Sequence, residues 1–213
     1  MVGAPDYAVP ALDKALDILE LLASTAGGLG QNEIADATGR SSSQIFRVLA
    51  LLEKRGYLVR DNGLYVLSTR LFSLAHQHPP LRGLIAAATT PMRVLADTVQ
   101  QSCNLSVIDA GRVLVIAQVE SPADFGYRVR VGATFDLDAT ATGAVLTGHD
   151  SLVERPDPMQ PGITDLVVAI DGSVRAALTV PYVATTFSGI PIDTVREAAR
   201  AAAAEISRRV NGE

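Results

Sequence analysis

The sequence has 213 residues, of which 48% are hydrophobic and 19% are charged. This composition excludes intrinsic disorder, and the length allows one large domain or two small ones. The net charge of −5 weighs against a nucleic-acid partner unless basic residues are concentrated in one region.

The N-terminal residues lack the basic start and the unbroken apolar centre of a signal peptide. No apolar run approaches the roughly 18 residues of a membrane span. The single cysteine, Cys103, excludes an internal disulfide and a thiolate metal cage. These features predict a folded, cytoplasmic protein of two domains, with no membrane segment, metal or cofactor.

The first predicted element is an amphipathic helix after Pro10, with charged residues opposite an apolar face. Its predicted inner residues are Leu12, Ala15, Leu16, Leu19 and Leu22. After a glycine-rich break, QNEIADAT predicts a short second helix, with Ile34 and Ala35 facing inward.

The segment SSSQIFRVLALLEK predicts a third helix with a capping box, formed by Ser41 and Gln44. Its apolar stripe is predicted to pack on the first two helices. The stripe consists of Ile45, Val48, Leu49 and Leu52. The opposite face is small and cationic, which suits a helix that approaches a nucleic-acid groove. That face carries Ser43, Arg47, Ala50 and Lys54.

The segment YLVRDNGLYVL predicts a β-hairpin, because the pair Asn62-Gly63 suits a two-residue type I′ turn. The expected register places Arg60 opposite Tyr65 on one face and Val59 opposite Val66 on an apolar face. Residues 40–70 carry a local charge of +4. Charge alone favours an ordinary solvated surface. The order of three helices and a basic hairpin predicts a winged helix-turn-helix domain.

This order of motifs resembles the IclR family of bacterial transcriptional regulators. The similarity is carried by ALDKALDILELLA, EIADATGRSSSQIFRVLALLEKRGYLVR, LYVLSTRLFSLA, MRVLADTVQQSCNLSVIDAGRVLVIAQVES and YRVRVGATFDLDATATGAVL. It implies a winged helix-turn-helix DNA-binding domain at residues 1–75, a linker helix at 76–90, and an effector-binding and oligomerisation domain at 91–213.

The resemblance implies that the third helix and the wing contact double-stranded DNA. The residues expected to do so are Arg40, Ser41, Ser42, Ser43, Gln44, Arg47, Lys54 and Arg60. A homodimer or tetramer is also implied, since two recognition helices must lie about 34 Å apart to read adjacent half-sites. Gly30 and Gln31 depart from the family's usual cap, so the second helix is expected to start less firmly.

Residues 91–213 show alternating helix and strand patterns. TPMRVLADTVQQ and DTVREAARAAAAEISRRV predict helices, whereas CNLSVID, RVLVIAQVE and GYRVRVG predict strands, and LVVAIDGSVRAALTV predicts a hairpin. The inner face of the closing helix is predicted to be Val195, Ala199, Ala202, Ile206 and Val210. Together these elements indicate an α+β sandwich with one sheet. The resemblance implies a GAF-like or profilin-like domain with a small-molecule cavity.

The resemblance places the ATATGAV segment at the mouth of that cavity, where backbone N–H groups can hold a carboxylate. A small organic acid is therefore the expected effector. The residues expected to contact it are Cys103, Thr140, Ala141, Thr142, Thr164 and Thr179. The threonines have alternative roles as helix caps or ordinary strand formers, and Cys103 as a buried structural thiol.

The segment DSLVERPDPMQPGITD replaces a longer helical insertion of the family, and Pro156, Pro158 and Pro161 exclude a helix there. The cavity is therefore expected to be more open, differently closed or lost. Three functions stay open. They are a ligand-responsive regulator of a small metabolic operon, a constitutive DNA-binding repressor, and a small-molecule-binding or hydrolytic protein whose first domain only dimerises.

An enzyme is not expected. His76 and His78 have no further ligand at metal-binding spacing. His149, Asp150 and Ser151 lack the Gly-x-Ser-x-Gly elbow of a hydrolase.

Overall fold

The computed structural model describes residues 9–77, 79–124, 126–148, 150–184 and 189–212. The chain divides into two compact units, Met1–Gln77 and His78–Glu213. The first unit combines helices with a β-hairpin, and the second combines helices with one antiparallel sheet. The predicted class is confirmed: mixed α/β, with a helix-turn-helix unit followed by an α+β unit.

The first unit contains three helices, a hairpin and a further helix. These are α1 (Pro10–Ser24), α2 (Gln31–Ala37), α3 (Ser42–Lys54), β1 (Leu58–Asp61), β2 (Leu64–Leu67) and α4 (Arg70–Gln77). Pro10 is tolerated because the first N–H groups of a helix have no acceptor within it.

One hydrophobic core holds the first unit together. Ile34, Ile45 and Leu49 are fully buried, so the predicted inner faces of α2 and α3 are confirmed. The prediction for α1 is partly wrong, because Ile18 is fully buried while Leu12 and Leu16 are about half exposed. Leucine and isoleucine occur on several sides of α1, and spacing alone cannot decide which stripe the core covers.

The hairpin of β1 and β2 has the predicted register, with Arg60 opposite Tyr65. Asn62 and Gly63 have φ values of 49° and 84°, as a type I′ turn requires. The face assignment is wrong, since Tyr65 is buried and Val59 is 49% exposed. The face with Leu58 and Tyr65 packs into the core of the first unit, and an isolated bridge, in which the Tyr65 N–H donates to Leu29 O at 2.8 Å, holds β2 beside the segment before α2.

The second unit contains six strands and three helices among the described residues. These are α5 (Pro79–Val99), β3 (Cys103–Asp109), β4 (Arg112–Val119), β5 (Thr134–Asp136), α6 (Ala141–Thr147), β6 (Leu152–Pro156), β7 (Ile163–Ile170), β8 (Ala176–Val183) and α7 (Ile192–Asn211). The strands form one sheet in the order β5-β4-β3-β8-β7-β6, with antiparallel neighbours. Residues 76–90, predicted as one linker helix, are divided between α4 and α5.

Both faces of this sheet are covered. A large core joins one face to α5 and α7, and includes Cys103, Leu105 and Val107 of β3. A smaller core joins the opposite face to α6. The predicted inner residues of α7 are confirmed, with Val195, Ala199, Ala202 and Ile206 buried and Val210 packed against them.

The predicted strand GYRVRVG is wrong, because residues 126–132 form no strand and β5 follows at Thr134–Asp136. The segment still shows the alternation that suggested a strand. Tyr127 and Val129 line a cavity while Arg128 and Arg130 are exposed. An extended chain that covers a cavity therefore shows the same period of two as a strand.

Candidate nucleic-acid interface and ligand cavity

The α3 face, defined as Ser43, Gln44, Arg47, Ala50 and Lys54, is exposed along its whole length. Ile45, Leu49 and Leu52 bury the opposite side of the helix. Within the described part of the chain, the Arg47 and Lys54 side chains form no salt bridge. Both cations are therefore available to an external anion.

Hydrogen bonds hold the start of α3. The Ser41 N–H donates to Gln44 Oε1 at 3.0 Å, which is the glutamine half of the predicted capping box. Ser41 Oγ lies 3.1 Å from Ser43 Oγ. Ser42 Oγ donates to Asn32 Oδ1 at 2.7 Å, and Gln31 Nε2 donates to Ser42 O at 3.1 Å. Gln31, which departs from the family's usual residue at the start of the second helix, thus links α2 to α3.

Arg40 has a different environment from the α3 face. Its Nη2 donates to Asp17 Oδ2 at 2.5 Å, and only 25% of its side chain is exposed. This ion pair connects α1 to the turn before α3. Among the residues predicted to contact DNA, Arg40 and Ser42 are therefore engaged within the unit, whereas Arg47 and Lys54 are not.

The hairpin presents one exposed cation. The Arg60 guanidinium carbon lies 5.4 Å from the centroid of the Tyr65 ring. Such a contact contributes about 0.5–1 kcal/mol at an exposed site and restricts the arginine. Because Tyr65 is buried, its ring position is fixed, and the contact restricts where the Arg60 guanidinium lies on the β1–β2 hairpin, which is the wing.

A cavity of about 50 Å³ lies in the second unit. Its floor is the sheet face opposite α5 and α7, since Asn104 and Ser106 alternate with core residues of β3. Its polar lining comprises Asn104, Ser106, Tyr127, Thr140, Thr142, Asp157, Asp165 and Thr179. Apolar side chains, including Val113, Val115 and Phe135, complete the wall.

Three of the six residues predicted to contact an effector line this cavity: Thr140, Thr142 and Thr179. Thr142 Oγ1 and Thr179 Oγ1 lie 3.0 Å apart and join α6 to β8. Thr140 acts as the helix cap, because its Oγ1 accepts a hydrogen bond from Gly143 N at 3.0 Å. This N–H is therefore not free to hold a carboxylate.

The other three predicted residues do not line the cavity. Cys103 lies on the opposite face of the sheet, where its Sγ donates to Met92 O at 3.4 Å. Burial raises the pKa of its thiol to about 12. Thr164 pairs with Tyr182, whose ring packs on the large core, and the next residue, Asp165, reaches the cavity instead. Ala141 is buried in the small core beneath α6.

The sequence prediction missed the two carboxylates of the cavity. The proline-rich segment supplies Asp157, together with Pro158 and Met159, so it borders a cavity rather than abolishing one. Asp157 Oδ1 accepts hydrogen bonds from the backbone N–H groups of Met159 at 2.7 Å and Gln160 at 3.0 Å. Asp165 comes from β7.

The cavity has an acidic electrostatic character. Burial and the nearby charge of Asp157 raise the pKa of Asp165 to about 6. Burial, followed by the charges of Asp157 and Asp165, also raises the pKa of Tyr127. Among the described lining residues there is no lysine, arginine or histidine. An anionic ligand would therefore meet no opposite charge on these walls.

Within the described ranges, no group of three or more histidine, cysteine or acidic residues is arranged to hold a metal ion. His78, His149 and the side chain of His76 lie outside the described residues. None of the helices searched among the described residues combines the length and the apolar character needed to cross a bilayer.

Comparisons with known proteins agree with this architecture. Residues 11–62 match the IclR helix-turn-helix domain, and residues 81–154 match the C-terminal domain of the bacterial transcriptional regulator IclR. A solved IclR homolog from Microbacterium hydrocarbonoxydans, complexed with 4-hydroxybenzoate, superposes with a TM-score of 0.79 at 19% identity. That alignment covers 95% of this chain and 100% of the other, and shows the shared fold.

Two curated relatives are similar in sequence. The glycerol operon regulatory protein of Streptomyces coelicolor is 27% identical over 81% of this chain and 69% of its own length. The HTH-type transcriptional regulator BhcR of Paracoccus denitrificans is 30% identical over 70% of this chain and 54% of its own. The matched part of this chain thus spans about half to two thirds of the length of these relatives. Both domain matches occur in the order of the two units, and the chain belongs to the IclR family of bacterial transcriptional regulators.

Proposed function

We propose that the chain is a DNA-binding transcriptional regulator that binds a palindromic operator as a homodimer. In this proposal the α3 face enters the major groove, and Arg60 on the wing contacts the backbone or the adjacent groove. The observation that carries it is the exposed α3 face, on which Arg47 and Lys54 have no acidic partner among the described residues.

The charge distribution supports this proposal in a chain of net charge −5. An anionic protein binds DNA only if its cations are concentrated on one surface, and residues 40–70 provide such a concentration. Small side chains at Ser43 and Ala50 allow α3 to approach base edges closely. The name of the Streptomyces coelicolor relative, a glycerol operon regulatory protein, supports control of a small metabolic operon.

We further propose that a small molecule in the cavity of the second unit changes the affinity for DNA. The cavity supports this, because it places several convergent polar groups within an otherwise apolar wall. Its volume of about 50 Å³ restricts the ligand to a small one. A constitutive repressor is the second candidate, since pockets for drug-sized ligands are typically about 300–1,000 Å³.

Fluorescence anisotropy with palindromic fragments from the promoters next to the chain's own gene tests DNA binding. Affinity is expected to fall steeply as salt rises. Arg47→Ala should weaken binding and reduce the slope of log K against log salt by about 1 for each protomer, or about 2 for the dimer. Arg200→Ala, at an exposed position of α7, is the matched control and should leave the slope unchanged.

Binding that does not change with salt would contradict the proposal. An Arg47→Ala, Arg60→Ala double variant with unchanged affinity would instead favour a first unit that serves only to dimerise. Thermal melts with small-molecule panels separate the ligand-responsive regulator from the constitutive repressor, because only the former gains stability from a ligand.

A further inference from the structure

We propose that the cavity binds a small protonated amine that also carries a hydroxyl or carbonyl oxygen, rather than the organic acid expected from the sequence. This inference rests on the proposed ligand response and specifies the chemical class of its ligand. Three features of the cavity carry it: its carboxylates without a cationic partner among the described residues, the unused amide nitrogen of Asn104, and its size.

The carboxylates of Asp157 and Asp165 are the charged groups among the described lining residues. A carboxylate ligand would add a third negative charge to a partly buried site, where charges interact more strongly than in water. An ammonium group has the opposite effect, because it can donate charge-assisted hydrogen bonds to both carboxylates.

No cation of the described chain neutralises Asp165. Arg155 lies directly opposite it in the register of β6 and β7. Arg155 is nevertheless exposed, and the salt bridges between described residues do not include this pair. The pKa of Asp165 is raised rather than lowered, which is the direction expected of a carboxylate without a cationic partner.

An independent observation comes from Asn104, which is 4% exposed and lines the cavity. Its Oδ1 accepts a hydrogen bond from Ser106 Oγ at 3.2 Å. Among the described residues, no group accepts a hydrogen bond from its amide nitrogen. Because Asn104 lines the cavity, a ligand oxygen there can accept a hydrogen bond from this nitrogen.

Polar residues also lie beside Asn104 on both neighbouring strands. Thr179 of β8 lies directly opposite Asn104, and Gln118 of β4 lies opposite it on the other side. The Gln118 Oε1 atom is buried and has no partner among the described residues. Gln118 is not among the described lining residues of the cavity, so the Asn104 amide nitrogen is the unused group that a ligand there would meet. A ligand with both a hydroxyl and an ammonium group can accept from this nitrogen and donate to the carboxylates of Asp157 and Asp165.

The cavity volume of about 50 Å³ sets the size of the ligand. One enclosed water needs roughly 10–15 Å³ on this scale. The cavity therefore accommodates only a few non-hydrogen atoms. Ethanolamine, glycolate and ethylene glycol are suitable probes, because they have similar size and share a hydroxyl group but differ in charge.

The test measures the thermal midpoint of the full chain against increasing concentrations of each probe at neutral pH. Ethanolamine is expected to raise the midpoint in a saturable manner, whereas glycolate is not, and ethylene glycol should have a smaller effect. Asp165→Asn should weaken the ethanolamine response roughly tenfold or more, since it removes a charged hydrogen-bond acceptor. Asp109→Asn, an exposed carboxylate at the end of β3, should retain the response.

The inference is overturned if glycolate or ethylene glycol stabilises the chain as much as ethanolamine, or if ethanolamine gives no saturable rise. It is also overturned if Asp165→Asn responds like the unchanged chain. Anisotropy with promoter DNA in the absence of probes tests the proposed function separately. Intact DNA binding without an ethanolamine response removes only this inference, whereas absent DNA binding removes the proposed regulator.

Discussion

Thr142 and Thr179 join α6 to the sheet through a hydrogen bond of 3.0 Å between their hydroxyl oxygens. Both residues are more than nine-tenths buried. We expect Thr179→Val to lower the free energy of unfolding by about 1–3 kcal/mol, because it leaves the Thr142 hydroxyl without its buried partner. Urea denaturation of the full chain measures this loss.

The double variant Thr142→Val, Thr179→Val provides the control for that prediction. Its cost is expected to be smaller than the sum of the two single costs by roughly 0.5–1.5 kcal/mol, since the second change removes a hydroxyl that is already unpaired. Additive costs would show that the two hydroxyls do not stabilise the domain as a pair.

Asp165 makes the stability of the chain depend on pH. Its pKa is raised to about 6, so the ionised carboxylate is less favourable in the folded than in the unfolded state. This penalty is complete above about pH 6 and disappears below about pH 4, where the carboxyl is protonated in both states. Asp165→Asn cannot ionise and should raise Tm at neutral pH.

Thermal melts across this pH range check the prediction. The gain in Tm from Asp165→Asn should shrink as the pH falls from about 6 to about 4. Asp109→Asn serves as the exposed control and should show no comparable trend. A gain in Tm of constant size at every pH would contradict the assigned role of the Asp165 charge.

Substitution by alanine should change the free energy of unfolding in opposite directions at two helical glycines, Gly143 and Gly83. A Cβ at Gly143 would lie 1.9 Å from Leu137 O, whereas a Cβ at Gly83 in α5 meets no atom within 4 Å. Gly143→Ala should therefore cost roughly 3 kcal/mol or more through steric overlap. Gly83→Ala should gain up to about 1 kcal/mol from helix propensity. Denaturation curves of both variants give the comparison, and equal effects would contradict the close approach at Gly143.

The thiol of Cys103 should be unreactive in the folded protein. Burial raises its pKa to about 12, and the thiolate is the reactive form. A colorimetric disulfide reagent is expected to label the native chain far more slowly than the chain in denaturant. Rapid labelling under native conditions would show that the second unit opens readily around β3.

Local signals made much of the first unit predictable. The Asn62-Gly63 pair specified the hairpin register because positive φ at both positions allows few alternatives. The i, i+4 spacing of Ile45 and Leu49, continued at Leu52, identified the buried side of α3, although Phe46 and Leu51 elsewhere on the helix are apolar and exposed. Where apolar residues occur on several sides, as around Ile18 in α1, the same reasoning could not choose the buried stripe.

The cavity was less predictable, because both faces of its sheet are covered. Side chains alternate between the two faces of a strand, so Thr164 and Asp165 necessarily point in opposite directions. The strand pattern alone does not show whether Thr164 or Asp165 points into the cavity. Asn104 and Ser106 were the available signal, since they are polar residues that alternate with apolar ones in CNLSVID.

The sequence by itself determined the order of the elements in the first unit, the two-unit organisation, the family and the exposed cationic side of α3, because each depends on spacing or turn chemistry between residues near in the chain. Only the tertiary structure decided that Asp157 and Asp165 line the same cavity as Asn104 and that Thr142 pairs with Thr179. Those outcomes depend on contacts between residues far apart in the chain, whose free energies no local pattern encodes.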